Sequence, residues 1–234
     1  MLPKLVTPKY EMIVPSTGET VTYRPYVVRE EKILLIAIES RSEIAVEKAV
    51  TEIIKTCVES PIDMKKLTTF DIEFMFITLR SKSVGEGVKI NPPCDHCEER
   101  NEHKIDLEKV TVKNLEDAID KHIKLTDDIS LDLRWQTLDD RLKESERETE
   151  TETMINTIAH SIETIYSGEE IFAAKDVKLK EIINFVESLN SDQFVEVCEV
   201  LGKAPALNYK MEFECEHCGE KNERELKGLI DFFT

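Results

Sequence analysis

Two short stretches decide how this chain is read: Cys94-Asp95-His96-Cys97-Glu98-Glu99-Arg100-Asn101-Glu102 and Cys215-Glu216-His217-Cys218-Gly219-Glu220-Lys221-Asn222-Glu223. Each is a dithiol knuckle followed by a similar polar run. Two thiolates separated by two residues span one edge of a zinc tetrahedron, and two such edges complete a four-sulfur site. The spacing therefore predicts one structural Zn2+ per chain, held by Cys94, Cys97, Cys215 and Cys218. His96 and His217 sit between knuckle cysteines, where side chains usually face solvent, and four sulfurs need no further ligand. The rival readings are two redox dithiols or ordinary free cysteines. A thioredoxin-like dithiol belongs in a βαβ pattern, which this sequence lacks.

The interval between the knuckles is the unusual part, since 117 residues separate Cys97 from Cys215. Compared with an interval of about 15 residues, that is about three doublings, or about 1.8 kcal/mol of additional closure entropy. Zinc held by four protein ligands is worth on the order of 10 kcal/mol or more at neutral pH. One ion can thus clip the middle of the chain to its C-terminal end, provided the intervening polypeptide brings the knuckles together.

Extended sequence flanks both knuckles. Val88 and Ile90 precede the first, with Ile105 and Leu107 after it, while Leu207, Tyr209, Met211 and Phe213 alternate with polar residues before the second. The internal repeat is strand, knuckle and return strand. Further out, Tyr10, Met12 and Val14, the turn residues Pro15-Ser-Thr-Gly18, and Val21, Tyr23 and Val27 predict an N-terminal β-hairpin. Helical sequence begins near Arg29. Val46, Val50, Ile53 and Cys57 form one apolar stripe within 42–58, which makes Cys57 a core thiol. A third helix over 69–82 carries Phe70, Ile72, Phe74, Met75, Phe76, Ile77 and Leu79 on nearly every face, the mark of a central helix, and Gly85 stops it.

A second hairpin is predicted at 122–135, where Ile129, Leu131, Leu133 and Trp135 alternate with polar residues. Core packing is the ordinary reading of this single tryptophan, and an interface anchor is the sharper one. The biased acidic stretch 139–153 reads either as a solvated helix face or as a loop, with loop the preferred reading. Helices are predicted over 152–166 (Ile155, Ile158, Ile162, Ile165) and 178–189. A third, capped by Ser191 and ended by Gly202, places Cys198 in the core. The apolar end, 229–233, is expected to dock.

The fold class is therefore α+β, with an N-terminal hairpin, a helical core and a zinc-pinned β module made from two sequence-distant knuckles. Four segments follow: 1–85, hairpin plus helices; 86–135, first knuckle and β hairpins; 136–206, a helical region with the acidic loop; and 207–234, the second knuckle strand and docking segment. They are expected to form one compact unit closed by zinc.

Composition narrows the function. The 234 residues, 41% of them hydrophobic, can build a real core. No apolar run approaches a membrane span, the longest being Ile33 to Ile38. The start lacks a secretory h-region, so the cytoplasm is expected, where six cysteines favour metal or buried thiols over disulfides. A net charge of −17, with Asp95, Glu98, Glu99, Glu216 and Glu220 around the knuckles, argues against a nucleic-acid partner. The sequence has no Walker loop, dinucleotide-binding turn, nucleophile elbow or His-Glu-x-x-His motif. Four cysteines around one zinc also leave no open coordination position, so no enzyme is expected.

Three blocks carry a family likeness. Leu2-Pro-Lys-Leu-Val-Thr-Pro-Lys-Tyr-Glu11 and Tyr23-Arg-Pro-Tyr-Val-Val-Arg-Glu-Glu-Lys-Ile-Leu34, the latter followed by Ala37-Ile-Glu-Ser40, resemble the baseplate hub proteins of T4-like contractile-tailed phages. So does Phe70-Asp-Ile-Glu-Phe-Met-Phe-Ile-Thr-Leu-Arg-Ser-Lys-Ser-Val-Gly-Glu86, which runs into the first knuckle. The resemblance implies a non-enzymatic structural or assembly protein whose partners are other hub or tail proteins. It would act in the host cytoplasm during assembly, with the virion baseplate as a second location. A zinc-ribbon adaptor for transcription machinery is the alternative. The polar end of the third block offers Arg80 and Lys82 as contact residues, joined by Trp135; the plainer reading of both cations is stabilisation of a helix end.

Overall fold

A computed structural model of the chain describes residues 5–115, 120–141 and 149–232. In chain order the elements are strands β1 (Tyr10–Ile13) and β2 (Thr20–Tyr23), helices α1 (Val28–Glu39), α2 (Glu43–Cys57) and α3 (Thr69–Ser83), then strands β3 (Gly87–Ile90), β4 (His103–Asp106), β5 (Thr111–Lys113), β6 (His122–Lys124) and β7 (Ile129–Leu133). There follow α4 (Leu138–Arg141), α5 (Glu150–Ser161), β8 (Ile162–Ser167), β9 (Glu170–Ala173), α6 (Leu179–Glu187), α7 (Ser191–Leu201), β10 (Ala206–Glu214) and β11 (Lys221–Lys227). The mixture is α+β, as the sequence pattern predicts. The chain divides into two compact units, 1–115 with 205–234, and 116–204.

The first unit is built around α3. Phe70, Ile72, Met75, Phe76, Ile77 and Leu79 are all buried, so this helix is enclosed on nearly every side. α2 lies against it and buries Val50, Ile53, Ile54 and Cys57. Burial raises the Cys57 thiol to about 11, which keeps it protonated and inert. The β1–β2 hairpin reaches the end of α2, where Arg24 N–H donates to the Cys57 carbonyl and Glu59 N–H to the Thr22 carbonyl.

The fully buried carboxylate of Asp71 ties the hairpin turn to the start of α3. It accepts from the backbone and hydroxyl of Thr68, forming a capping box, and from the backbone and hydroxyl of Ser16. At the other end, Gly85 takes φ +119, a conformation that a side chain would strain. β3 pairs with β4, and β5, β10 and β11 form a three-stranded antiparallel sheet in the order β11-β10-β5. Leu229 and Phe232 are buried, so the end of the chain docks as expected, Phe233 lying outside the described residues.

The second unit is a four-stranded antiparallel meander, β6-β7-β8-β9, with α5, α6 and α7. Its own core contains Ile123, Leu131, Leu133, Ile158, Ile162, Ile182, Val186 and Val197. The helices read from the sequence are thus shared between two cores, α1–α3 in one unit and α5–α7 in the other.

Several boundaries differ from the sequence reading. The helix expected over 152–166 ends at Ser161 and the chain turns directly into β8. Ile162 and Ile165 satisfy the helical spacing, yet three of the four residues in Ile162-Glu-Thr-Ile165 are β-branched, and Ile162 pairs with Leu133 across the sheet, where the register shifts. Asn190, not Ser191, caps α7, in a reciprocal pair with Gln193. Cys198 is half-buried rather than fully enclosed and lines an apolar groove with Met154, Ile158 and Leu201. The acidic stretch 139–153 opens on α4 and closes on the first turn of α5, both helical, and 142–148 lie outside the described residues.

Replacing Asp71 by Ala leaves the donors of buried Thr68 unmatched and cuts the bonds that hold exposed Ser16 to the start of α3. The expected loss is about 1–3 kcal/mol of unfolding free energy, read from denaturant midpoints. An unchanged midpoint would remove Asp71 from the forces that hold the hairpin to α3.

Candidate metal centre

The two knuckles are built alike, bond for bond. In the first, Cys94 N–H donates to the Glu99 carbonyl at 2.9 Å and Glu98 N–H to the Cys94 carbonyl at 3.0 Å. In the second, Cys215 N–H donates to the Glu220 carbonyl at 2.9 Å and Gly219 N–H to the Cys215 carbonyl at 2.8 Å. Both loops then need a left-handed residue, Glu98 at φ 62 and Gly219 at φ 75. Glycine adopts this freely, whereas Glu98 carries a strain of roughly 1–2 kcal/mol. β3 and β4 frame the first loop, β10 and β11 the second. The strand–knuckle–strand repeat read from the sequence is therefore present in both halves.

The strands bring all four sulfurs together, each within 4.8 Å of the others. The nearest separations cross between knuckles: Cys94 Sγ to Cys218 Sγ at 3.7 Å, and Cys97 Sγ to Cys215 Sγ at 3.6 Å. A zinc tetrahedron with bonds of about 2.3 Å has sulfur–sulfur edges of about 3.8 Å, whereas a disulfide brings sulfurs to about 2.05 Å. The donor set and its spacing fit a tetrahedral metal site. His96 and His217 are exposed and lie outside the cluster.

Protonation within the cluster is uneven. Burial opposes ionisation of Cys94, but the N–H groups of His96 and Cys97 and the Asn222 carboxamide outweigh it and lower the thiol. At Cys215 burial is likewise overcome, by the N–H groups of Cys218 and His217 and by Asn101, bringing the thiol to about 6. The Glu99 N–H favours the Cys97 thiolate, yet burial and the three neighbouring sulfurs push it up to about 12. The Glu220 N–H favours the Cys218 thiolate too, but burial and the Cys215 and Cys94 sulfurs raise the thiol. Four thiolates this close repel one another, and a dication among them removes the repulsion, so metal uptake would displace protons.

Outside the sulfurs, Asn101 and Asn222 are buried, and each reaches from its own loop to the other. In the sequence both stand as members of a polar run. The signal was present: an asparagine stands four residues after the second cysteine in both repeats. The Arg224 guanidinium pairs with Asp95, a further link between β11 and the first loop.

Arg80, Lys82 and Trp135 do not join this site. Lys82 pairs with Glu86 at 3.2 Å and with Glu108, which gives its charge a local role. Arg80 is half-buried near the Tyr26 side chain in the first unit. Trp135 belongs to the second unit, just beyond β7, half-buried with Lys121 Nζ 5.3 Å from its ring centre.

Fold and site together define an α+β protein whose paired β ribbons carry a closed cluster of four cysteines. A family model described as T4 bacteriophage base plate protein matches residues 7–234, and the chain belongs to that family. No curated protein and no solved structure matches the chain. Among the described residues, no helix is long and apolar enough to cross a membrane.

Replacing Cys94 by Ser should weaken zinc binding by at least roughly 10–100-fold, the loss typical of changes one shell further out. Amide protection in β4 and β11 should fall while α3 keeps its protection in hydrogen exchange. Cooperative unfolding of the whole first unit would instead make the metal part of its core stability.

Proposed function

We propose that this protein is a non-enzymatic structural or assembly component of a phage tail baseplate hub, acting through protein–protein contacts and carrying one structural zinc on Cys94, Cys97, Cys215 and Cys218. The family match over residues 7–234 carries the reading. Sulfur ligation of all four positions supports a structural ion, because it leaves no coordination site for water or substrate. Other hub or tail proteins are the partners, met in the host cytoplasm during assembly, with the virion baseplate as the second location. A net charge of −17 speaks against nucleic acid. Membership of a baseplate family gives the transcription-adaptor alternative no support.

Arg80, Lys82 and Trp135 are the proposed contact residues. Arginine and tryptophan are the side chains that most often dominate an interface, and truncating one at its centre costs about 2 kcal/mol or more, roughly 30-fold in affinity. Tagged protein from infected cells should co-purify with finished tails or with hub intermediates. Arg80→Ala and Trp135→Ala should each lower that recovery severely while leaving the melting temperature nearly unchanged. Recovery of polymerase subunits in place of tail proteins would contradict the hub reading. Normal tails from a phage carrying either variant would dismiss that residue as a contact.

A further inference from the structure

Asn101 and Asn222 hold equivalent positions, with only 3% and 4% of their surfaces exposed. The Asn101 Oδ1 accepts from the backbone N–H of Glu216 at 2.9 Å, and the Asn222 Oδ1 accepts from that of Asp95 at 2.8 Å. Each bond lands on the residue directly after the first cysteine of the opposite loop. The Nδ2 groups turn back to their own loops, Asn101 to the Glu99 carbonyl at 2.9 Å and Asn222 to the Glu220 carbonyl at 3.0 Å. The Asn222 Nδ2 also lies 3.5 Å from Cys94 Sγ.

An asparagine that merely filled space beside a metal would satisfy itself within its own turn. These two cross over, and they do so reciprocally. The carboxamide is suited to the task because one short, planar group supplies both an acceptor and two donors. Aspartate has no donor and would set a negative charge beside thiolates. Each amide is satisfied only when the opposite loop is docked, because a buried polar group without a partner is strongly disfavoured. The two crossing bonds therefore hold the loops at the separation that places the sulfurs 3.6 and 3.7 Å apart.

We propose that Asn101 and Asn222 are the positioning residues of the metal centre, a reciprocal carboxamide clamp that joins the two loops and presets the four sulfurs for one tetrahedral ion. The inference rests on the structural-zinc reading above. The ligands supply the bonds to the metal, and the clamp supplies their arrangement before the metal arrives. Its loss should therefore appear in affinity for the ion and not only in thermal stability.

The test is zinc binding by the full chain, in competition with a chromophoric chelator, for wild type, Asn101→Ala, Asn222→Ala and a Glu102→Ala control. Wild type and control should take up one zinc with equal affinity. Each asparagine variant should keep that stoichiometry but bind roughly 10–100-fold more weakly, the effect of removing an outer-shell partner. Wild-type affinity in both asparagine variants overturns the clamp and leaves the zinc reading standing. A wild type that binds no zinc overturns both. If the alanine variants do not fold, the near-isosteric Asn101→Leu and Asn222→Leu fill the same space without the crossing acceptor, and weakened or wild-type zinc affinity gives the same decision. A lower melting temperature at saturating zinc with unchanged affinity would make the pair merely structural and sink the proposal.

Discussion

The constraint on which the first unit depends is that two cysteine loops, 117 residues apart in the chain, must place four sulfurs within 4.8 Å of one another. A metal acting alone would close that whole interval. The fold removes most of the burden by pairing β5 with β10, Ala206 facing Lys113 and Asn208 facing Thr111. The chain therefore leaves and re-enters the first unit on adjacent strands, and residues 116–204 form an insertion between them. Only 15 residues then separate Cys97 from Lys113, and 8 separate Ala206 from Cys215. Closure entropy grows slowly with length, but the short loops also restrict where the cysteines can go. The sheet brings the ribbons together, and the sulfurs lock a geometry already in place.

The buried first cysteine of each loop is turned toward N–H groups that favour its thiolate, while the second is pushed toward the thiol by its neighbours. Such an arrangement favours a dication, which lets all four ionise. The negative charges at Asp95, Glu98, Glu99, Glu216 and Glu220 are all exposed, where water screens them, and Asp95 is paired with Arg224. The same acidity sets this centre apart from zinc ribbons that grip phosphate backbones.

Much of this was legible in the residues. The knuckle spacing picked out the four cysteines that the fold brings together, because a tetrahedral sulfur site needs that spacing whatever surrounds it. α3 was legible because apolar residues on every face of a helix can only be buried. What stayed hidden was non-local or ambiguous in period. The pairing of β5 with β10 joins segments far apart in sequence and leaves no local signature, so the insertion could not be read. Ile155, Ile158, Ile162 and Ile165 match a helical stripe, and their side chains do face one core, but the backbone beneath them changes from α5 to β8. The short edge strand β9 follows a Ser167-Gly168-Glu169 turn that was overlooked. Asn101 and Asn222 were hidden differently: polar residues in a polar run look solvated until their partners across the site are known.

The central claim is that the chain is closed by a metal held on sulfur alone. X-ray absorption at the zinc edge of the purified protein tests it most directly. The account predicts a single shell of four sulfur scatterers at about 2.3 Å. A shell containing nitrogen or oxygen, or protein free of metal with its knuckles intact, would contradict it.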